Sequence, residues 1–279
     1  MIGSILSVLD FFWENNSGSS SSHAEVKLPE PAPTLTFSST TRKITPPKIN
    51  PYEQLHQQLQ DLSYREEDVK RLLVPLEQPD SFTATEAWFN DILVNDYFQQ
   101  LAAQYSGVEV ISSLMNQCIP PLPDRFRNEQ KYDVWKKKLS ESPLVFWPMH
   151  QNNHWHLIII DNTSDPSVYI LDGFNSRDEG LLTGSGFELA SAIRPLQRGR
   201  AEHISGEFIS VAKQENAYDC GPVICFYAKV IAAYYVRHQQ LPNLSELEKV
   251  DYTGFRKNIA EALVALGTSL KSVNRPSRL

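Results

Sequence analysis

Along this chain the spacing of apolar positions switches between helical and strand periods, and the switches lay out the fold. From about Tyr52 to Val74 apolar residues recur at helical steps, which predicts the start of a folded unit. Thr83-Ala84-Thr85-Glu86 has the form of a capping box. After it Trp88, Ile92, Leu93, Val94, Tyr97, Phe98 and Leu101 recur at three- and four-residue steps, predicting a helix with one buried face. Residues 106–143 carry a mixed pattern that settles no element. Leu144-Val145-Phe146-Trp147 then reads as a strand, Trp155 to Ile160 as a second and Val168 to Leu171 as a third. The unbroken apolar run Leu157-Ile158-Ile159-Ile160 suits a central strand covered on both faces. Asn162-Thr163-Ser164-Asp165-Pro166 supplies a turn, so the last two strands are expected to form a hairpin. Further on, Gly186 to Leu196 reads as helix, Phe208 to Val211 as a short strand, and a long helix follows Cys220. Phe255 to Leu266 is the last clear helix. The pattern predicts an α+β fold: a mixed sheet with the long helix packed against it.

Residues 1–50 do not share this patterning. Ile2 to Trp13 is apolar, yet it lacks a basic leader and is shorter than the roughly 20 residues a bilayer span requires. A short amphipathic or docking segment, without stable membrane insertion, is the expectation. Asn15 to Ser22 is a polar tract, followed by Pro29, Pro31, Pro33, Pro46, Pro47 and Pro51. Such a Ser/Pro-rich stretch buries too little apolar surface to offset ordering entropy, so it is expected to be a disordered linker. The folded domain is placed at 51–279, with its core at about 75–265.

Composition narrows the chemistry. A formal net charge of −7 argues against a general nucleic-acid surface, which would be basic. Three cysteines, Cys118, Cys220 and Cys225, make no disulfide framework and fit a reducing, intracellular compartment. None has the spacing of a cysteine-based zinc site, and no metal is expected.

Cys220 stands out by its context. Cys220-Gly221-Pro222 opens the predicted long helix, and proline is tolerated in a first turn because its missing N–H would have no intrahelical partner. The sulfur then faces the positive end of the helix dipole, which favours thiolate. His154 stands just before the predicted central strand and Asp172 at the end of its hairpin partner. Adjacent strands can set an imidazole and a carboxylate side by side, the arrangement in which the acid orients a general base. Gln214, on the loop entering the Cys220 helix, could donate to a developing oxyanion beside the backbone N–H of Cys220. Competing residues are less suitable. His156 lies deeper in the apolar run and reads as a packed or surface histidine, and His150 reads as a loop residue. Asp161 ends the strand that His154 begins, roughly 20 Å away. Asp219 is assigned a structural hydrogen bond, and Cys225, inside the helix, is expected to be inert.

The order His, Asp, Gln, Cys with these flanking residues resembles the ubiquitin-like-protein-specific cysteine proteases of clan CE, which include the SUMO/sentrin-specific and NEDD8-specific proteases. Trp88-Phe89-Asn90-Asp91 is similar to the family's Trp-Leu-Asn-Asp motif, and Val145 to His150 to its strand ending Pro-x-His. His154-Trp155-His156-Leu157 resembles its His-Trp-x-Leu strand, and Gln214 to Gly221 its Gln-x₅-Cys-Gly loop. Tyr218-Asp219-Cys220-Gly221 is especially close to the NEDD8-specific member. Asp172 matches the family aspartate, although Gly173 follows where the family often has serine. The resemblance implies a papain-like, adenain-type fold with the nucleophile at the N-terminus of a buried helix. It also implies hydrolysis after the C-terminal Gly-Gly of ubiquitin, SUMO or NEDD8, with no cofactor. Trp155 would roof a narrow tunnel over the diglycine, Trp88 would pack nearby, and Asp91 would contact a basic residue of the modifier. The family also holds bacterial effectors that prefer ubiquitin, for which the place of action would be a host cell cytosol. Residues 106–143 and 174–206, with Arg194, Arg198 and Arg200, are the expected carriers of specificity. Two other functions compete: a YopJ-like acetyltransferase on the same catalytic set, and a catalytically silent modifier-binding module. Trp155 and Gln214 speak against the first, and the intact His154, Asp172 and Cys220 against the second.

Overall fold

In the computed structural model the described residues are 52–114, 129–163, 167–176, 205–249 and 254–273. The N-terminal segment and linker, Cys118, the 186–196 helix and the three arginines at 194–200 lie outside them. Five strands form one sheet in the order β1-β2-β3-β4-β5: β1 (Val108–Val110), β2 (Leu144–Gln151), β3 (His154–Asp161), β4 (Ser167–Leu171) and β5 (Ser205–Ile209). The two central hairpins are antiparallel, while β1 runs parallel to β2 and β5 parallel to β4. The sheet is therefore mixed, as the apolar pattern predicts.

β3 is central and buried from Trp155 to Ile160. On one face Ile158 and Ile160 pack with Val145, Trp147 and Met149 of β2 and with Val168 and Ile170 of β4. Leu139, from α5 (Glu129–Glu141), covers this cluster. Two helices pack on the sheet as well: α4 (Asp91–Gln104), whose Phe98 meets Phe146 edge to face, and α6 (Cys220–His238), which lies against β3. Every residue of α6 from Cys220 to Ala228 is buried, so this helix belongs to the core along its first two turns. α7 (Phe255–Val273) closes the outside, its Phe255 ring against Tyr97 and Phe226. Among the described residues no helix is long and apolar enough to cross a membrane.

The β2–β3 turn consists of two residues, Asn152 and Asn153, both with positive φ (53° and 59°). This is the left-handed pair that a two-residue hairpin needs, and asparagine tolerates it better than other side chains with a Cβ. It brings Gln151 opposite His154 and so sets the register of the whole hairpin.

Several expectations change. The helical stretch 52–74 is two helices, α1 (Glu53–Asp61) and α2 (Glu66–Glu77), separated where Ser63 takes φ 75°. The capping box at Thr83 starts only one turn, α3 (Ala84–Ala87), and Trp88 is extended rather than helical. Asn90 accepts a hydrogen bond from Leu93 N–H and caps a fresh helix, while Arg71 holds the Trp88 carbonyl at 2.6 Å. His150 belongs to β2 rather than a loop, and the short strand at 208–211 sits earlier, at Ser205–Ile209. Within 106–143, β1 has only three residues, too few for a period to declare itself.

Candidate active site

Strand register explains how His154 and Asp172 meet. Leu157 pairs with Leu171, so one step further Asp172, just beyond β4, stands opposite His156, with His154 two residues along the same face. His154 Nε2 lies 3.3 Å from Asp172 Oδ1, and His156 Nδ1 lies 3.7 Å from Oδ2. The first is a hydrogen bond. The second is too long to be one, and His156 Nδ1 finds no hydrogen-bond partner among the described residues. Asp172 is further held by the Phe174 N–H at 2.6 Å, the Ser176 N–H at 3.1 Å and the Ser176 hydroxyl at 2.7 Å. Burial pushes its pKa up, but hydrogen bonds from the histidine side, Ser176 and the Phe174 backbone outweigh that and hold it well below the usual carboxylate range.

The Cys220 sulfur lies close enough to His154 to favour its charged form. Burial works against its charged form, yet the Asp172 hydrogen bond and the neighbouring sulfur prevail and raise its pKa to about 9. Phe174 stacks on its ring at 4.7 Å and 24°, while His156 meets it edge-on at 4.7 Å. The imidazole is thus fixed in plane by an aromatic face, an edge and a carboxylate.

Cys220 is the first residue of α6, 4% exposed, where the free N–H groups of the helix converge. Gly221 beside it is required by packing, since a Cβ there would come within 2.6 Å of Phe89 Cβ. Asp219 does not cap the helix with its side chain. Its carboxylate instead binds Arg256 Nε at 2.7 Å and Asn216 Nδ2 at 2.8 Å, the structural role expected of it. Asn216 Oδ1 in turn accepts from Tyr218 and Asp219 N–H, which folds the loop into the helix. Cys225 is fully buried and its thiol is pushed up by that burial, in keeping with an inert core residue.

Gln214 is buried in the same loop. Its N–H donates to Gly173 O at 2.8 Å and its Nε2 to Asn216 O at 2.6 Å. A Cβ on Gly173 would overlap Gln214 Oε1, so the glycine that departs from the family pattern is matched to this amide's position. Trp155, 2% exposed, donates from its indole to Phe89 O at 2.9 Å and lies against His150. Trp88 donates to Ala217 O at 2.7 Å, and Asp91 accepts from Ser113 Oγ at 2.9 Å. Both tryptophans therefore tie the 88–91 turn to the elements that carry His154 and Cys220.

Arg256, in α7, is the residue that motif reading missed. It is 5% exposed, and besides Asp219 it donates to Arg71 O at 2.6 Å and to Ala87 O and Tyr218 O at 3.0 Å each. Its guanidinium also lies over the Phe89 and Tyr218 rings, at 5.0 and 5.4 Å. One side chain thus fastens α2, the 88–91 turn and the cysteine loop together. The only sequence signal is an arginine inside the first turn of an otherwise apolar helix face.

A mixed sheet bearing histidine and aspartate on neighbouring strands, with cysteine at the N-terminus of the helix packed on it, is the papain-like fold of clan CE. The solved structures agree on the fold. The SUMO protease Ulp1 with its catalytic cysteine oxidised to a sulfenic acid matches with TM-score 0.53 and 17% identity, over 80% of this chain and 97% of that one. The C-terminal Ulp1 protease domain in complex with Smt3, the yeast orthologue of SUMO, gives TM-score 0.51 and 17% identity, over 78% and 96%. No curated protein matches the sequence. The profile of the Ulp1 protease family, C-terminal catalytic domain, covers residues 112–269, more than half of the chain and all of the residues from His154 to Arg256. This chain belongs to the Ulp1 protease family.

Proposed function

We propose that this protein is a thiol isopeptidase and peptidase that cleaves after the C-terminal Gly-Gly of ubiquitin or a ubiquitin-like modifier. The observation that carries this reading is His154, hydrogen-bonded to Asp172 and set close enough to Cys220, at the head of α6, for the sulfur to favour its charged form. With its proton already held by His154, whose pKa is raised to about 9, Cys220 attacks the glycine carbonyl as a thiolate. The oxyanion is met by the Cys220 backbone N–H and by the second amide proton of Gln214, whose first is given to Asn216 O. The C–N bond breaks as the imidazolium protonates the leaving amine, leaving a thioester. Water, deprotonated by His154, then hydrolyses the thioester and restores the thiol. Asp172 holds the imidazole's orientation and its positive charge throughout.

Trp155 borders the path of the diglycine, and Gly-Gly is the sequence that a channel walled by a buried indole admits. Trp88 packs beside it, and Asp91 faces a basic residue of the modifier. Family membership supports a ubiquitin-like protein as partner, and the SUMO-bound relative gives SUMO precedence over NEDD8 and ubiquitin. An odd count of three cysteines fits a reducing, intracellular compartment as the site of action. The test is a panel of electrophilic probes built on the C-termini of ubiquitin, SUMO and NEDD8. A covalent adduct with one of them, lost in Cys220→Ala, is expected. Measurable modifier binding with no adduct from any probe would refute the assignment.

A further inference from the structure

We propose that His154, His156 and Asp172 together form a binding site for a zinc-like divalent cation, and that its occupation switches the thiol chemistry off. The metal site stands on its own geometry; the switching rests on the protease reading above. Three side chains of zinc's preferred ligand types, two imidazoles and a carboxylate, bring their donor atoms within 4.8 Å of one another. Zinc bonds of about 2.0–2.1 Å separate tetrahedral ligands by roughly 3.3 Å. His154 Nε2 and Asp172 Oδ1 already stand at 3.3 Å, and His156 Nδ1 and Asp172 Oδ2 at 3.7 Å; donor atoms as far as 4.8 Å apart have to draw in to meet one ion.

The second observation is His156 itself. Its side chain is 6% exposed, it points at Asp172, and its Nδ1 has no hydrogen-bond partner among the described residues. A buried nitrogen left in this state is rare in native proteins and calls for an explanation. The thiol chemistry uses one imidazole and one carboxylate, so it does not supply one. A cation between the two rings does: the His156 Nδ1 proton that faces Asp172 leaves to solvent, and the freed lone pair becomes a bond to the metal.

The surroundings suit a metal. Asp172 is oriented by the Phe174 N–H and by the Ser176 N–H and hydroxyl, the outer hydrogen bonds that hold ligating carboxylates in place. His154 is the most exposed of the three side chains, at 12%, and marks the way in. His154 starts as an imidazolium; on binding, its Nε2 proton leaves to solvent and that lone pair goes to the metal, while Nδ1 keeps its proton. Neither ring nitrogen then has a free lone pair to accept the Cys220 proton. Two imidazoles favour zinc or cobalt over magnesium or calcium, which prefer oxygen. The ligands come from a His-x-His strand and an aspartate on its neighbour, so cysteine spacing gives no hint of them.

Binding is measured first in Cys220→Ser protein, which removes sulfur as a ligand. Calorimetry with Zn²⁺ and visible spectra with Co²⁺ are expected to show one site, weakened about tenfold or more in His156→Leu and His156→Gln. Histidine ring resonances of the Cys220→Ser protein are expected to show two imidazoles shifting with Zn²⁺, a readout that needs no His156 variant to fold. In protein with Cys220 intact, adduct formation with the modifier probes should fall with Zn²⁺ and return with EDTA. The half-inhibiting concentration should rise about tenfold in the His156 variants, each scored against its own zinc-free rate. Absence of one-site binding in Cys220→Ser protein would overturn the proposal. So would only one imidazole shifting, or inhibition indifferent to His156. If no probe reacts at all, the protease reading fails while the calorimetry and spectra still decide the metal site.

Discussion

The two halves of the site are held by different means. His154 and Asp172 stand on adjacent strands, and their meeting follows from backbone register: once Leu157 pairs with Leu171, the two side chains are neighbours. Cys220, Gln214 and Trp88 sit on loops and a helix start. They are brought together by side chains reaching to carbonyls, Arg256 above all, with the Trp88 and Trp155 indoles. A ladder of many small backbone bonds tolerates the loss of any one of them. An assembly centred on one guanidinium does not.

The comparison can be broken at its most sensitive points. Cys220→Ala is expected to lower turnover by on the order of 10⁴-fold or more with little change in melting temperature, checked by probe labelling and calorimetry. Asp172→Asn should lower turnover by about 10²–10⁴-fold and move the alkaline limb of the kcat/KM profile to lower pH, since His154 loses what raises it to about 9. The stability linkage has a definite sign. His154 is raised from 6.5 to about 9, so its contribution is complete below about 6.5 and disappears as pH climbs through about 9. Asp172 is depressed, so its contribution is present above the usual carboxylate range and is lost on acidification below it. Urea midpoints of wild type and Asp172→Asn, followed from pH 5 to about 10, should draw closer toward the alkaline end as the His154 share disappears, without meeting, because Phe174 and Ser176 still hold the Asp172 carboxylate.

Arg256→Met strikes the other half. It leaves Asp219 without its cation and three carbonyls without donors, at a cost of roughly 3–5 kcal/mol by denaturant melts. Arg256→Lys should recover only part of this, because an ammonium keeps the charge but lacks the fork. A neutral Arg256→Met would dissolve the contrast drawn above. Trp88→Phe, which removes one hydrogen bond to Ala217, is expected to cost about 0.5–1.5 kcal/mol and a few-fold in probe labelling.

The same contrast explains what could be read in the sequence. His154 and Asp172 were legible because period-two strands and a turn already imply which residues share an edge. Cys220 was legible because Cys-Gly-Pro marks a helix start. The break at Trp88 was not, since the capping box at Thr83 is genuine but a better cap at Asn90 and the Arg71 hydrogen bond end its helix after one turn. Arg256 was hidden because its partners lie up to 185 residues away, and no local pattern encodes a carbonyl at that range. The sequence reads His156 as a packed or surface histidine, and the structure buries it. Its opposition to Asp172 shows only when the β3–β4 register is carried one step past the strand end.

The turn at Asn152-Asn153 has a consequence for how this chain can change. Strand side chains alternate in parity, and these two residues are the counter that decides whether imidazole or indole arrives on the acid's side. One residue added or deleted there, if the strand slips to absorb it, exchanges the places of His154 and Trp155 and turns the rest of β3 to its opposite face as well. Natural variants should therefore differ freely in length across the longer connections, yet keep this shortest loop at its present count.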